Sequence, residues 1–260
     1  RCTLVCPVGN DITMMIRKMR EGMSASGNAP EELVAGAKRH WDKGSPMGDL
    51  LPALKAHVKN VEKTTGIKVN VDREGVDYLV ILSAQEVAVY NEVIEALTRI
   101  LAKAGVTWTF SSEAFEGTNV GIQIGSKDLA REFVSRTVNA AEKLKVKGVI
   151  SPECGHAYQA LRWEGPNLIG RTYPFEVVHV IELLDKLRAE GRLKTKGMDH
   201  AKLTFHDPCQ INLRGRINDE PRRLPNMVAD NFTATEDSGP LHRCRGRRGG
   251  GACRRIRAGR

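Results

Sequence analysis

Tyr78-Leu79-Val80-Ile81-Leu82 is an unbroken apolar run held between Asp77 and Ser83. A short run without polar alternation is what a strand covered on both faces looks like, and such strands belong to parallel sheets. The pattern then repeats. A helix is predicted over 85–104, stopping at Gly105, and Val106-Thr107-Trp108-Thr109-Phe110 reads as a second strand. A Ser/Gly-rich loop over 111–125 leads into a helix over 126–146 that ends before Gly148, with Val149-Ile150 as a third strand. A helix over 154–162, a Pro/Gly loop through Pro174, a helix over 175–190 ending at Gly191, a fourth strand at Lys202-Leu203-Thr204-Phe205 and helical residues 219–230 complete the series. Strands alternating with helices form βαβ units, so the fold class is α/β: a mainly parallel sheet with helices on its faces.

Residues 10–66 differ in kind. Ile12, Met15, Ile16 and Met19 follow the spacing of one apolar helix face, with Asn10 or Asp11 placed to cap it. Asn28-Ala29-Pro30-Glu31-Glu32 opens a second helix, with Pro early and acids in its first turn. A third runs from about Leu50 to Thr65 and stops at Gly66.

The formal net charge of +9 overstates how basic the chain is. Residues 241–260 hold eight Arg and no acid, and without them 32 Lys and Arg face 31 Asp and Glu. A nearly neutral body argues against a nucleic-acid-binding domain, which spreads basic residues over a folded face. No apolar run reaches the roughly 18 residues that span a bilayer. The chain opens inside a motif, without a leader, which reads as a fragment cut at its N-terminus. The Arg/Gly tail has almost no apolar surface and is expected to be disordered.

Six cysteines in 260 residues are too sparse for a secreted disulfide framework. Three places carry them in suggestive company. Cys2-Thr3-Leu4-Val5-Cys6-Pro7 matches the end of the ferredoxin run C-x2-C-x2-C-x3-C-P, in which the third and fourth cysteines serve different [4Fe–4S] clusters. Ser151-Pro152-Glu153-Cys154-Gly155-His156 and Thr204-Phe205-His206-Asp207-Pro208-Cys209 each place a cysteine where a strand ends. Thiolates at strand ends beside a C-x3-C-P pair point to iron–sulfur chemistry. The second of these motifs reads equally as a plain turn, with His206 packed and Asp207 capping. His156 and His206 stand next to cysteines, where they would tune cluster sulfur or pass protons; packing is the alternative. Arg214, Arg216, Arg222 and Arg223 either attract an anionic sulfur substrate or form a solvated charge run.

With Cys244-Arg245-Gly246 thirty-five residues after Cys209, the sequence resembles the cysteine-rich CCG-domain proteins of heterodisulfide reductase type. Within them it is most similar to the DsrK type, from the transmembrane complex linked to dissimilatory sulfite reduction. The resemblance covers residues 1 to about 242 and is strongest over 151–158, 173–179 and 204–223. It implies a division into the end of a ferredoxin-like module and a helical linker (1–66), a first, degenerate CCG half (67–174), the start of a second half (175–242) and the tail (243–260). It also implies [4Fe–4S] clusters, cubane in the N-terminal module and noncubane in the CCG region. Cys2, Cys6, Cys154, Cys209 and Cys244 would be metal ligands, Cys154 and Cys209 the catalytic pair, and His156 and His206 cofactor neighbours. Ser83 and Ser111-Ser112 stand near the places of the first half's missing cysteines, so that half is expected to hold no complete cluster. Arg245 stands where the second Cys of Cys-Cys-Gly belongs and the final C-x-x-C is absent, so the tail is expected to be out-of-frame sequence with Cys253 accidental. The family's role is an iron–sulfur redox subunit that reduces a disulfide or oxidises a thiol pair. Its partners are membrane-anchored electron-transfer subunits and a small sulfur carrier or disulfide substrate, with no nucleic acid. Its place is cytoplasmic, peripheral on the inner face of the membrane. The related reading is the iron–sulfur subunit of a glycolate or lactate oxidase, or a pure electron carrier. Cys154 and Cys209 are expected close together at the C-terminal edge of one parallel sheet.

Overall fold

The computed structural model describes residues 3, 6–151, 154–194, 200, 202–208 and 210–234. Its centre is a four-stranded, all-parallel sheet in the order β2-β1-β3-β4: β1 (Tyr78–Val80), β2 (Trp108–Thr109), β3 (Gly148–Ser151) and β4 (Glu176–His179). Tyr78, Leu79 and Val80 pair with Gly148, Val149 and Ile150, and Ser151 pairs with His179 at the far end of β3. The fold is α/β, as the apolar run at 78–82 requires.

Both faces of that run are buried, each by its own layer of helices. Tyr78, Val80 and Leu82 pack into one core with Leu54, Val58 and Val61 of α3 (Leu51–Thr65), Leu97 and Leu101 of α5 (Glu92–Lys103), and Leu183 and Leu187 of α10 (Val180–Ala189). Leu79 and Ile81 point the other way. They meet Val134, Val138 and Ala141 of α7 (Lys127–Lys143), together with Tyr158 of α8 (Gly155–Gln159) and Leu161. Successive side chains on a strand face opposite ways, so an unbroken apolar sequence is what a two-sided core demands.

Helix ends fall where the sequence chemistry puts them. Asp11 caps α1 (Ile12–Ala25) by accepting from the Met14 N–H, and Pro30 precedes α2 (Glu31–Lys43), whose first turn carries Glu31 and Glu32. Gly66 closes α3 in the left-handed region, with φ of 69°.

Elsewhere the structure departs from the sequence expectation. The helix predicted over 85–104 is two, α4 (Ala84–Ala88) and α5, separated at Val89–Asn91. The Ser/Gly-rich loop contains a short helix, α6 (Val120–Ile124), capped by Asn119. The predicted helix 175–190 begins as β4, because Phe175, Val177 and His179 alternate inward and take the open edge of β3. The residues expected as a fourth strand pair only locally, Leu203 with Phe232, and the sheet's fourth strand is β4 instead. β4 lies beyond residue 174 yet belongs to the same sheet as β1–β3. After α8 the helix continues through a π-helical turn, Ala160–Glu164, into α9 (Gly165–Ile169), where a loop is predicted.

α1 buries no side chain. Met15 is 59% exposed and Met19 54%, although both lie on the periodic apolar face. Among the described residues no helix is long and apolar enough to cross a membrane. Leu79 is fully buried at the middle of β1, so Leu79→Ala should cost about 2–5 kcal/mol in urea unfolding, by lost burial and a cavity. Met15→Ala should change stability by no more than about 0.5 kcal/mol, since its side chain already meets water.

Candidate functional site

In open parallel sheets, sites form outside the C-terminal strand ends, at the point where the strand order reverses. Here β2 lies on one side of β1 and β3 on the other, so that point is between the ends of β1 and β3. The crevice is filled by the chain itself. Leu82 N–H donates to the Phe115 carbonyl at 2.7 Å and Gly117 N–H returns to the Leu82 carbonyl at 2.9 Å. A Cβ on Gly117 would lie 2.5 Å from Ile81 Cδ1 and 3.4 Å from the Ala157 methyl, so a larger residue would have to displace the Ile81 side chain for this loop to seat against α8.

The seat carries Glu116 into the interior. Its carboxylate accepts from Ala84 N–H at 3.2 Å and Thr118 N–H at 3.0 Å, and its Oε2 lies 3.2 Å from Nε2 of His40, on α2. Both side chains are buried, and the His40 ring stacks on Phe133 with centroids 3.9 Å apart. Burial, partly opposed by the hydrogen bonds from Thr118 and Ala84, pushes the Glu116 carboxyl up to about 8. Burial and the nearby Arg136 push His40 down to about 4. At neutral pH both groups are therefore uncharged, and the contact is not an ion pair. Neighbouring polar groups serve local structure. Ser83 caps α4 in a reciprocal arrangement with Glu86, and Ser111 Oγ accepts from Glu113 and Ala114 N–H. These are the serines near the expected places of the first half's missing cysteines.

The ends of β3 and β4 carry Cys154 and His179. Cys154 follows β3 and caps α8, its Sγ accepting from Ala157 N–H at 3.5 Å. Ser151 Oγ donates to the Cys154 carbonyl at 3.3 Å and steadies the turn. His179, at the end of β4, is 1% exposed; its Nδ1 accepts from Ile181 N–H, which leaves the ring proton of a neutral imidazole on Nε2. Tyr158 meets this ring edge-on at 5.5 Å, and burial followed by the Glu182 carboxylate raises its hydroxyl.

Asp207 anchors the neighbouring turn. It is 1% exposed, its Oδ2 accepts from Arg222 Nη2 at 2.7 Å, and its Oδ1 accepts from Asn212 Nδ2 at 3.3 Å. The Pro208 carbonyl accepts from Ile211 and Asn212 N–H, which starts a π-helical turn over Gln210–Arg214. This turn packs on α8: a Cβ on Gly155 would lie 2.9 Å from Gln210 Cβ and from Ile211 Cγ1. The residues that follow Cys154 and Cys209 in sequence are thus in contact at one sheet edge.

Of the expected site residues, Cys6 and Cys154 are half-buried, while His156 on α8 and His206 before the turn are exposed. Cys2, Cys209, Cys244 and Cys253, with the whole of 243–260, lie outside the described residues. The arginines of the charge run have separate tasks. Arg222 binds Asp207, Arg223 binds Asp185, Arg214 reaches Gln159, and Arg216 lies over the Trp163 ring. A [4Fe–4S] cluster held by protein alone takes four ligands. The described residues supply two cysteines, and no three of their His, Cys, Asp and Glu side chains converge as metal ligands. By themselves they do not build a cluster site. His179 and Glu116 escaped the sequence reading. His179 was hidden by reading its strand as helix, whereas Glu116 gives no signal before the loop is folded.

No family model matches the sequence, and no solved structure does. Curated relatives do. An EtfAB:quinone oxidoreductase of Syntrophomonas wolfei is 32% identical over 162 residues, 62% of this chain and 22% of its own length. One of the subunits of the dihydromethanophenazine:CoB–CoM heterodisulfide reductase of Methanosarcina barkeri is 28% identical over 62% of this chain and 41% of its own. An Hdr-like menaquinol oxidoreductase iron-sulfur subunit of Archaeoglobus profundus is 23% identical over 89% of this chain and 50% of its own. The chain spans half or less of the length of these three relatives. Their names support kinship with heterodisulfide-reductase-type iron–sulfur subunits.

The buried carboxyl sets a pH dependence. Glu116 binds its proton more tightly folded than unfolded, so its contribution to stability is complete below about pH 4.5 and is lost as pH rises through about 8. His40 acts in the opposite sense: its contribution is complete above about pH 6.5 and lost as pH falls through about 4. Glu116→Gln removes the first dependence. Its unfolding free energy relative to the parent chain should therefore rise between pH 5 and pH 8, by up to about 1.4 kcal/mol per pH unit. Parallel pH profiles for the two proteins in chemical denaturation would refute the assignment.

Proposed function

We propose that the chain is part of an iron–sulfur redox subunit of heterodisulfide-reductase type, acting at the C-terminal edge of its parallel sheet. The observation that carries this reading is the packing of Gly155 on Gln210 and Ile211, which joins the segments that follow Cys154 and Cys209. The names of the relatives give the same chemistry, oxidoreductases and iron–sulfur subunits.

Cys154, Cys209 and Cys244 are ligands of a noncubane [4Fe–4S] centre in this reading, and Cys2 and Cys6 belong to cubane clusters of a ferredoxin-like module. Such a centre, when complete, supplies one-electron steps to a disulfide or a thiol pair. The chain's own residues shape the place. Ala157 N–H donates to the Cys154 sulfur, and hydrogen bonds to cluster sulfurs are among the terms that set potential. Asp207 and Arg222 fix the turn before Cys209. His156 and His206, near Cys154 and Cys209 in sequence and both exposed, would hand protons to a thiolate in this reading. The finer assignment is to the DsrK type, working in a membrane-associated sulfur-metabolism complex at the inner face of the cell membrane. Its partners are membrane-anchored electron-transfer subunits and a small sulfur carrier or disulfide substrate. The relative named as an EtfAB:quinone oxidoreductase favours a second reading, electron transfer without a disulfide substrate of the chain's own.

Anaerobic reconstitution with iron and sulfide tests the proposal. The chain as it stands should take up well below one cluster, because its ligand set is incomplete. A chain in which residues 243–260 are replaced by a segment carrying Cys-Cys-Gly and C-x-x-C should gain a paramagnetic centre of about four irons. Cys209→Ala should abolish that centre. A stoichiometric cluster in the original chain, or one indifferent to Cys209, would overturn the ligand assignment.

A further inference from the structure

α1 starts five residues after Cys6-Pro7, so whatever holds α1 also places the N-terminal cysteine segment. Burial does not hold it. None of its side chains is buried, and Met14, Met15 and Met19 face water. An apolar stripe left largely in solvent supplies only part of what docking to this body needs.

Three other contacts do the holding. At the end of α6, Gly125 with φ of 82° approaches the α1 backbone so closely that a Cβ would lie 2.5 Å from the Arg20 carbonyl carbon. Glu21 meets Lys127 at 3.4 Å, an exposed pair of small worth. The third contact is of another kind. Arg17 of α1 grips Glu164 with both guanidinium nitrogens, one of them at 2.9 Å from Oε2. Their side chains are only 25% and 20% exposed, and a two-pronged, partly desolvated pair is the geometry in which an ion pair contributes.

Glu164 is the last residue of the π-helical turn after α8, and its carboxylate also accepts from Gln159 Nε2. Gln159 Oε1 in turn accepts from Arg214 Nη1 at 3.3 Å, at the end of the turn over Gln210–Arg214. The chain closes on α1. The Asp11 carboxyl is held low by the Met14 N–H, then the Thr3 hydroxyl, with the charge of Arg214 adding to these. Thr3 lies between Cys2 and Cys6. One carboxylate is thus the shared acceptor through which α1, the helix capped by Cys154 and the turn at 210–214 are joined. The π turn has a geometric part: its wider winding puts Glu164 five residues after Gln159 yet within reach of it.

We propose that Glu164 is a positioning residue, fixing through Arg17 and Gln159 where the Cys6 segment sits relative to Cys154. Its redox meaning, setting the separation between an N-terminal cluster and the sheet-edge centre, rests on the function proposed above. The docking itself does not.

The test uses the full chain without metal. Cys2, Cys154, Cys209, Cys244 and Cys253 are replaced by Ser, and nitroxides are attached at Cys6 and at Lys103→Cys on the exposed end of α5. Pulsed dipolar spectroscopy then reads the distance from the N-terminal segment to the sheet body. A single narrow distribution is expected. Glu164→Ala should abolish the narrow peak and lengthen the mean, while the α/β body still unfolds in one cooperative transition. Arg17→Ala, remote from the core, should do likewise, and the double variant should add nothing further. Glu164→Gln keeps an acceptor for Arg17 and should retain most of the narrow peak. A distribution that Glu164→Ala and Arg17→Ala leave unchanged overturns the proposal, even if the extended chain takes up its cluster. A docking lost in Glu164→Ala beside an extended chain that binds no iron would support the docking and strike only the redox reading.

Discussion

Everything in this protein hangs on the burial of β1 from both sides. Tyr78, Val80 and Leu82 enter one core, Leu79 and Ile81 the other, and each core recruits its own set of helices. Strands covered on both faces are typical of parallel sheets, whose crossover helices supply the cover, and both neighbours of β1 pair with it in parallel. Parallel pairing gives all four strands a common C-terminal edge, and that edge is where the chain's chemistry-bearing residues gather. Cys154 follows β3, His179 ends β4, and Glu116 is drawn in against the end of β1.

The same edge is used unevenly. At the reversal point between β1 and β3, where an open sheet offers its crevice, the backbone at 115–117 has moved in, and a glycine at 117 lets it seat without displacing Ile81. The result is a dry polar interior in which Glu116 keeps its proton and His40 does without one. Burial is the larger cause of both, with the charge of Arg136 adding to it at His40. One strand over, beyond β3 and β4, the edge is built from turns held by Asp207, Ser151 and the cap at Cys154. The two halves of the edge differ in what fills them, while the sheet beneath is continuous.

The N-terminal helix shows how a periodic sequence can mislead about burial. Its apolar spacing is sound, its cap forms at Asp11, yet its methionines meet solvent and its attachment is polar. Amphipathic periodicity fixes which face of a helix is apolar; it does not fix what lies opposite. The carboxylate that does the attaching sits on a π turn, where one extra residue of winding aims it between a guanidinium and an amide.

The sequence by itself determined the elements whose causes are local. The apolar run at 78–82 as a buried strand, the caps at Asp11 and Gly66, and the first three strands with helices between them follow from nearest-neighbour chemistry and are found. It also picked out Cys154 as a residue at a strand's end. Tertiary structure decided the rest. Glu176–His179 took the open edge of β3 where the sequence predicts a helix, and Lys202–Phe205 stayed outside the sheet, pairing only at Leu203 with Phe232. Glu116, His40, Arg17 and Glu164 lie far apart in sequence and carry no pattern. Their roles come from burial and from contacts made only when the layers close, and those are properties of the fold that no single stretch of chain encodes.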